Sequence, residues 1–286
     1  MTKQRETFVC LMYHNVPATA ASYAELSPSI RSYFVERELF ARQMQMLEEL
    51  GATCWGPQAL AGFYAEQGPG VRGQGSGINC PVPRPVVLTF DDGWRESVDT
   101  AGPILESHGY DAMLFITTDL IGRPHFLARS QMDRLPRHVF RIGSHGRSHR
   151  LLSQLPAHDI HEELAGSKAY LEDAMGCRVD ALSVPGGAYD DRVQHIAAEV
   201  GYRFLFTSRV QANARGQDAR AIGRIAIRQS TSSDAFRRIV LQQLGRERLR
   251  QWFIQAPKRL LGDARYQRLR SRLLGATPEH KDMGNL

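Results

Sequence analysis

Hydrophobic positions divide the chain into short apolar runs and longer amphipathic ones. Phe8-Val-Cys-Leu-Met-Tyr13 is continuously apolar, ends on His14 and turns at Pro17, the pattern of a buried strand. Pro85-Val-Val-Leu-Thr-Phe90 repeats the pattern and closes on Asp91-Asp92-Gly93. Between them, residues 33–50 carry Phe40, Met44, Leu47 and Leu50 at helical spacing, and Gly51 ends the run. Further on, the pattern predicts a helix over 98–108, a strand over 112–117 and a helix over 157–175. A helical run over 192–201, a strand over 202–206 and a last strand over 222–227 follow. Such alternation predicts parallel βα units, in which the carboxyl ends of the strands form the active edge. The Gly- and Pro-rich stretch 68–83 predicts a loop insertion ahead of the second strand.

That edge is where the candidate chemistry falls. Thr89-Phe-Asp-Asp-Gly93 is followed, 53 residues after its second Asp, by His145-Gly-Arg-Ser-His149. One carboxylate and two imidazoles are a common three-ligand set for a catalytic Zn²⁺ with an open fourth position. A neighbouring carboxylate then remains free to act as a general base. The two histidines are four apart, so one helical turn, or a loop entering one, would aim both rings the same way. Either half alone also fits an ordinary surface turn or a pair of unrelated histidines; their conjunction is what points to a site.

The string Thr-Phe-Asp-Asp-Gly with Ser-His-x-x-x-His downstream resembles the first two motifs of the polysaccharide deacetylase family, the NodB-homology carbohydrate esterases of family 4. The resemblance implies Asp91 as catalytic base and Asp92, His145 and His149 as metal ligands. It departs at Gly146, where the family usually has Ser or Thr, which bears on ligand orientation rather than on binding. In place of the usual third motif stands Leu182-Ser-Val-Pro-Gly-Gly-Ala-Tyr189, without the Arg that in many members holds the catalytic Asp. Pro185, Gly186, Gly187 and Tyr189 are its candidate substrate contacts. Arg224 is a candidate replacement guanidinium, the alternative being an arginine on a surface strand. Trp94 either stacks on a sugar face or packs at the barrel mouth.

The late Leu-x-His that carries the general acid in common members has no counterpart here. The Tyr13-His14 opening resembles instead the poly-β-1,6-N-acetylglucosamine deacetylase branch, with its rotated motif order, and implies His14 as the acid. A strand-end histidine satisfied by a backbone carbonyl is the other reading. Over residues 7–240 the resemblance implies an α/β fold, a distorted, incomplete (β/α) barrel of the NodB-homology type.

At 286 residues with 42% hydrophobic and 23% charged positions, the chain is long enough for one large core. Its four cysteines are too scattered for a Cys-x-x-Cys site and are expected as free thiols. No stretch reads as a signal or a membrane span, so the expectation is a cytoplasmic protein, peripheral at the inner membrane face if its tail docks there. That tail, 241–286, is basic: residues 246–275 hold nine Lys/Arg and two Asp/Glu, while the whole chain is +6. Apolar residues interleave with the charges, predicting amphipathic helix broken at Pro257 and Gly262. It either lies on an anionic membrane or packs its apolar face on the barrel.

The resulting expectation is a metal-dependent hydrolase, its divalent metal Zn²⁺ by family analogy, that removes N-acetyl groups from amino sugars of a glycan. The alternatives are a deformylase of a lipid-linked amino sugar and a catalytically impaired glycan-binding homologue. Nucleic acid is not expected as a partner, since the pI of 9.3 reflects a localised charge.

Overall fold

Eight of the nine described strands lie parallel, and the most apolar of them are buried on both faces, where the polar backbone is satisfied by neighbouring strands. The computed structural model describes residues 6–65, 84–187 and 190–261. Within them β1 (Thr7–Tyr13), β2 (Ala52–Cys54), β3 (Arg84–Phe90), β4 (Ala112–Ile116) and β5 (Phe140–Ser144) are followed by β6 (Ala181–Ser183), β7 (Phe204–Phe206), β8 (Asn213–Ala214) and β9 (Ile225–Ala226). The sheet runs β7-β6-β5-β4-β3-β1-β8, with β2 paired to β3 and β9 to β1. Only β8 is antiparallel, to β1. Helices α1 (Pro28–Arg31), α2 (Arg37–Glu49), α3 (Pro57–Ala65), α4 (Glu96–Asp99) and α5 (Ala101–Ser107) precede α6 (Arg129–Met132), α7 (Ala157–Met175), α8 (Asp191–Val200), α9 (Ser233–Val240) and α10 (Gly245–Leu261).

Side chains alternate between two apolar layers, as a period of two requires. Val86, Leu88 and Phe90 of β3 join Val9, Leu11 and Tyr13 of β1 in a core shared with Phe40, Met44 and Leu47 of α2 and Ile160, Leu164 and Leu171 of α7. Val87 instead meets Phe8, Cys10, Met113, Phe115 and Phe206 on the concave side of the curled sheet. Asp91 is in register with Val87 and Thr89, so the pleat sends it to the concave side. Burial pushes the Cys10 thiol there up to about 12, which makes it a packing group rather than a nucleophile.

A strap closes the ring. Ile222 pairs in parallel with Phe206 of β7, and three residues later β9 pairs with β1 through Leu11 and Met12. The strand predicted over 222–227 survives only as β9. At Gly223 the Asn213 side chain, not a strand, satisfies both backbone groups, at 2.8 and 2.9 Å. The barrel is thus distorted and incomplete, as the resemblance implied.

Other boundaries shift for local reasons. The helix predicted over 98–108 is divided at Thr100 into α4 and α5, because Pro103 has no N–H to donate back across the join. The helix predicted from residue 33 begins at Arg37. Gly176 and Gly201, with φ of 60° and 99°, end α7 and α8 in the left-handed conformation that glycine adopts without a Cβ clash.

The start of α10 is tied to the barrel: Gln251 accepts from Val210 N at 2.9 Å and donates to the Ser208 carbonyl at 2.6 Å. Its helix continues through Pro257 to Leu261 rather than breaking there, a proline removing only one bond of the ladder. Leu249, Trp252 and Phe253 are exposed, so this apolar face is not packed on the described part of the barrel. Among the described residues no helix is long and apolar enough to cross a membrane. The insertion over 68–83, Tyr189 and residues 262–286 lie outside the described residues.

Candidate active site and metal centre

The parallel register assembles the site at one edge. Tyr13 pairs with Phe90, so the next residues of β1 and β3, His14 and Asp91, leave the sheet side by side, and Asp91 N donates to the Tyr13 carbonyl at 3.0 Å. Ile116 pairs with Ser144, and His145 N donates to the Ile116 carbonyl at 2.9 Å. His14, Asp91, Asp92, His145, His149 and Arg224 all line one cavity of about 460 Å³.

Asp92, His145 and His149 each offer a ligand atom within 4.8 Å of the others. Asp92 Oδ1 lies 3.4 Å from His145 Nε2 and 3.3 Å from His149 Nε2. Two ligands about 2.0–2.1 Å from a tetrahedral ion stand roughly 3.3–3.4 Å apart, so the residues fit a Zn²⁺-like cation. Asp92 Oδ1 is also a buried acceptor without a hydrogen-bond partner, which a cation would satisfy. Burial works against the Asp92 charge, but the two imidazoles beside it hold the carboxyl well below its ordinary range. Burial alone would lower His145; the Asp91 and Asp92 charges outweigh it and raise the ring.

Two of the ligands, His145 and Asp92, are each oriented by a specific neighbour, whereas His149 Nδ1 is buried without a hydrogen-bond partner. His145 Nδ1 donates to the Ser183 carbonyl at 2.8 Å, which turns Nε2 toward Asp92. Trp94 Nε1 donates to Asp92 Oδ2 at 2.9 Å, leaving Oδ1 for a cation. Asp92 and His149 adopt positive φ, 74° and 59°, a conformation disfavoured for side-chain-bearing residues and characteristic of functional sites. The His145–His149 segment is therefore a loop, not a helical turn. Glu163 of α7 holds it: its Oε2 accepts from Arg147 N at 3.0 Å and Ser148 N at 2.9 Å, and its Oε1 accepts from the Ser148 hydroxyl. Gly146 has φ 76°, and its N–H donates to Ser144 Oγ at 3.1 Å. Glu163 and Ser144 therefore brace this loop without a hydroxyl at Gly146.

Of the two readings of Trp94, packing is the one the structure supports. Trp94 has no exposed surface and packs against Phe126 at 4.3 Å and Phe34 at 4.9 Å between centroids. It has no face for a sugar; the neighbouring Tyr23, Phe34 and Phe126 enclose it. Arg224 is the replacement guanidinium rather than a surface-strand arginine or a group free for substrate, because it is buried and spent on Asp91. Its Nη1 donates to Asp91 Oδ1 at 2.7 Å and its Nη2 to Oδ2 at 2.8 Å, a bidentate pair. Ser183 Oγ adds a third bond to Oδ2 at 3.1 Å, and Thr207 O and Thr89 Oγ1 fix the guanidinium from behind. Burial would raise Asp91, yet Arg224 and then His145 outweigh it and hold the carboxyl below its usual value.

His14 faces the same cavity. Its Nδ1 is buried without a partner, and its ring lies 4.5 Å from the Tyr33 ring. Burial lowers its pKa against the pull of Asp92 and Asp91. Gly186 lines the cavity, whereas Pro185 and Gly187 do not. Pro185 packs 3.6 Å from a Cβ placed on Gly146, and a Cβ on Gly187 would collide with Ser208, so these two shape the loop rather than the opening. Sequence inspection missed Ser183, legible only as the second residue of the third motif, and Glu163, which carried no signal within its helix.

Residues 79–205 match the family model described as polysaccharide deacetylase. YxkH of Bacillus subtilis (strain 168), assigned by name to the polysaccharide deacetylases, is 30% identical over 156 residues, 54% of this chain and 56% of that protein. The chain thus matches little more than half the length of that relative. Among solved structures, Streptococcus pyogenes deacetylase PplD in complex with acetate superposes with a TM-score of 0.67 at 22% identity, over 82% of this chain and 98% of that one. IcaB from Ammonifex degensii gives 0.67 at 23% identity, over 84% and 97%. These two likenesses speak for the fold. With the motif residues gathered at one strand edge, the match over residues 79–205 makes this part of the chain similar to the polysaccharide deacetylase family.

Proposed function

We propose that this chain hydrolyses the N-acetyl amide of an amino sugar in a polysaccharide, with a divalent cation at Asp92, His145 and His149. The observation that carries this is the 3.3 and 3.4 Å spacing of two imidazole nitrogens around Asp92 Oδ1, with an arginine-held carboxylate in the same cavity. A bound Zn²⁺ or similar ion would polarise the amide carbonyl and acidify water. Asp91 then accepts the proton of the attacking water. Its pairing with Arg224 keeps it ionised and fixes its orientation, so the geometry of attack is set before substrate arrives. His14, on the adjacent strand, donates a proton to the departing nitrogen. Its burial-lowered pKa makes it a readier donor once protonated.

The protein is expected to hold about one Zn²⁺ per chain, as a three-residue site requires. His149→Ala loses it in elemental analysis of dialysed protein. Stoichiometric metal in both His149→Ala and Asp92→Ala would overturn the ligand set. Acetate release from N-acetylglucosamine oligomers tests the activity itself.

His14→Ala is expected to retain metal and to lower kcat by roughly 10²-fold, the usual worth of a positioned proton donor. A general acid must be protonated, so activity falls as pH rises through its pKa, and this basic limb should change in the variant. Wild-type turnover with an unchanged pH profile would remove His14 from the mechanism.

A further inference from the structure

The cavity continues beyond the metal site. Its far wall is built by the chain after β9 and by the first turns of α10, where Arg228, Arg238, Arg246 and Arg250 line it. Apart from Asp91 and Asp92, Glu247 is the one acid among the lining residues, and it sits 3.9 Å from Arg238. Among the described residues no carboxylate lies within ion-pairing distance of Arg228, Arg246 or Arg250.

Arg228 is held in place. Its guanidinium lies over the Tyr33 ring at 3.7 Å, and it donates to Ser32 Oγ at 2.9 Å and to the Tyr33 hydroxyl. The same Tyr33 ring packs on His14, so this guanidinium stands one ring beyond the candidate acid. Arg246 and Arg250 are exposed and one helical turn apart on α10, so they share a face. Cations gathered in a concavity repel one another and focus a positive potential there, and an entering anion relieves that repulsion. A neutral acetylated sugar offers them hydroxyl and carbonyl acceptors but no charge to offset theirs. The planar guanidinium fork matches carboxylate and phosphate oxygens.

We infer that the saccharide taken by this site carries an anionic oxygen group, a carboxylate or a phosphate, that seats against Arg228, Arg246 and Arg250 while its acetamido group lies at Asp92, His145 and His149. The inference deepens the deacetylase reading and rests on it for the position of the acetamido group. The specificity is then for an acidic glycan or a phosphate-bearing sugar rather than for a neutral homopolymer.

The test measures binding by calorimetry to Zn²⁺-loaded Asp91→Asn protein, in which turnover is suppressed. The probes are a neutral N-acetylglucosamine oligomer, a matched oligomer with a neighbouring glucuronate, and one with a terminal phosphate. At least one acidic probe is expected to bind about tenfold more tightly than the neutral one, one charge-assisted contact being worth that much. Which of the two does so identifies the source of the anion. Adding Arg246→Gln with Arg250→Gln, both on an exposed helix face and safe for folding, should shrink the preference to about twofold or less. Arg228→Gln should weaken it as well. Equal binding of all three probes, or a preference that survives removal of Arg246 and Arg250, overturns the proposal. Acetate release by the wild-type protein separates the two ideas. Release from no probe, with the anion preference intact, defeats the deacetylase reading alone; equal turnover and equal binding of neutral and acidic probes defeat the anion subsite alone.

Discussion

Asp91→Asn is expected to lower kcat by about 10² or more while the protein keeps its metal, since the substitution removes a proton acceptor but no ligand. Asn preserves the shape and one acceptor for Arg224, so the fold should persist, which circular dichroism checks. Acetate release measured alongside metal content separates the two roles. If Asp91→Asn loses the ion and Asp92→Asn keeps it, base and ligand are reversed.

Arg224→Met is expected to be the most destabilising single change in the site. It leaves the Asp91 carboxylate buried without its bidentate partner, and breaking a buried pair from one side commonly costs about 3–5 kcal/mol. The pair itself is nearly inaccessible, at 1% and 3% side-chain exposure, so solvent does not screen the loss. Urea unfolding would show the drop, and activity should fall with it because the base loses its orientation. The double variant Asp91→Asn, Arg224→Met should lose less than the two singles together, because the uncompensated charge is gone. Additive losses, or an Arg224→Met protein as stable as wild type, would show that the ion pair is not what secures this side of the barrel.

Much of the fold was legible because buried parallel strands are written as continuous apolar runs, as in β1 and β3, and because Gly176 and Gly201 end helices where only a left-handed residue fits. What failed was short or tertiary in origin. β8 is two residues long and carries no periodic signal. The strap at residue 223 is hydrogen-bonded by the Asn213 side chain, a partner that no local pattern reveals. The metal-type triad could be seen because its three residues cluster in two short motifs. Trp94 could not be placed, since an indole beside an Asp-Asp turn reads equally well as a platform for sugar or as a buried donor. Arg224 was noticed as a stand-in for a missing guanidinium, but its grip on Asp91 depends on ring closure. Glu163 lies in an ordinary amphipathic helix, and nothing in its neighbourhood announces that it braces a loop.

The strap that shuts the barrel also sets the order in which the protein becomes competent during translation. Asp91 and Arg224 are 133 residues apart, and Arg224 lies on the segment that joins β7 to β1. A ribosome that has released β1 through β7 has made every candidate metal ligand, the base and the acid, yet the carboxylate has no counter-charge and the ring no seam. Long-range closures of this kind are late steps. Truncated or stalled chains ending before Arg224 should consequently be hydrolytically silent, so that turnover begins only when the barrel can close.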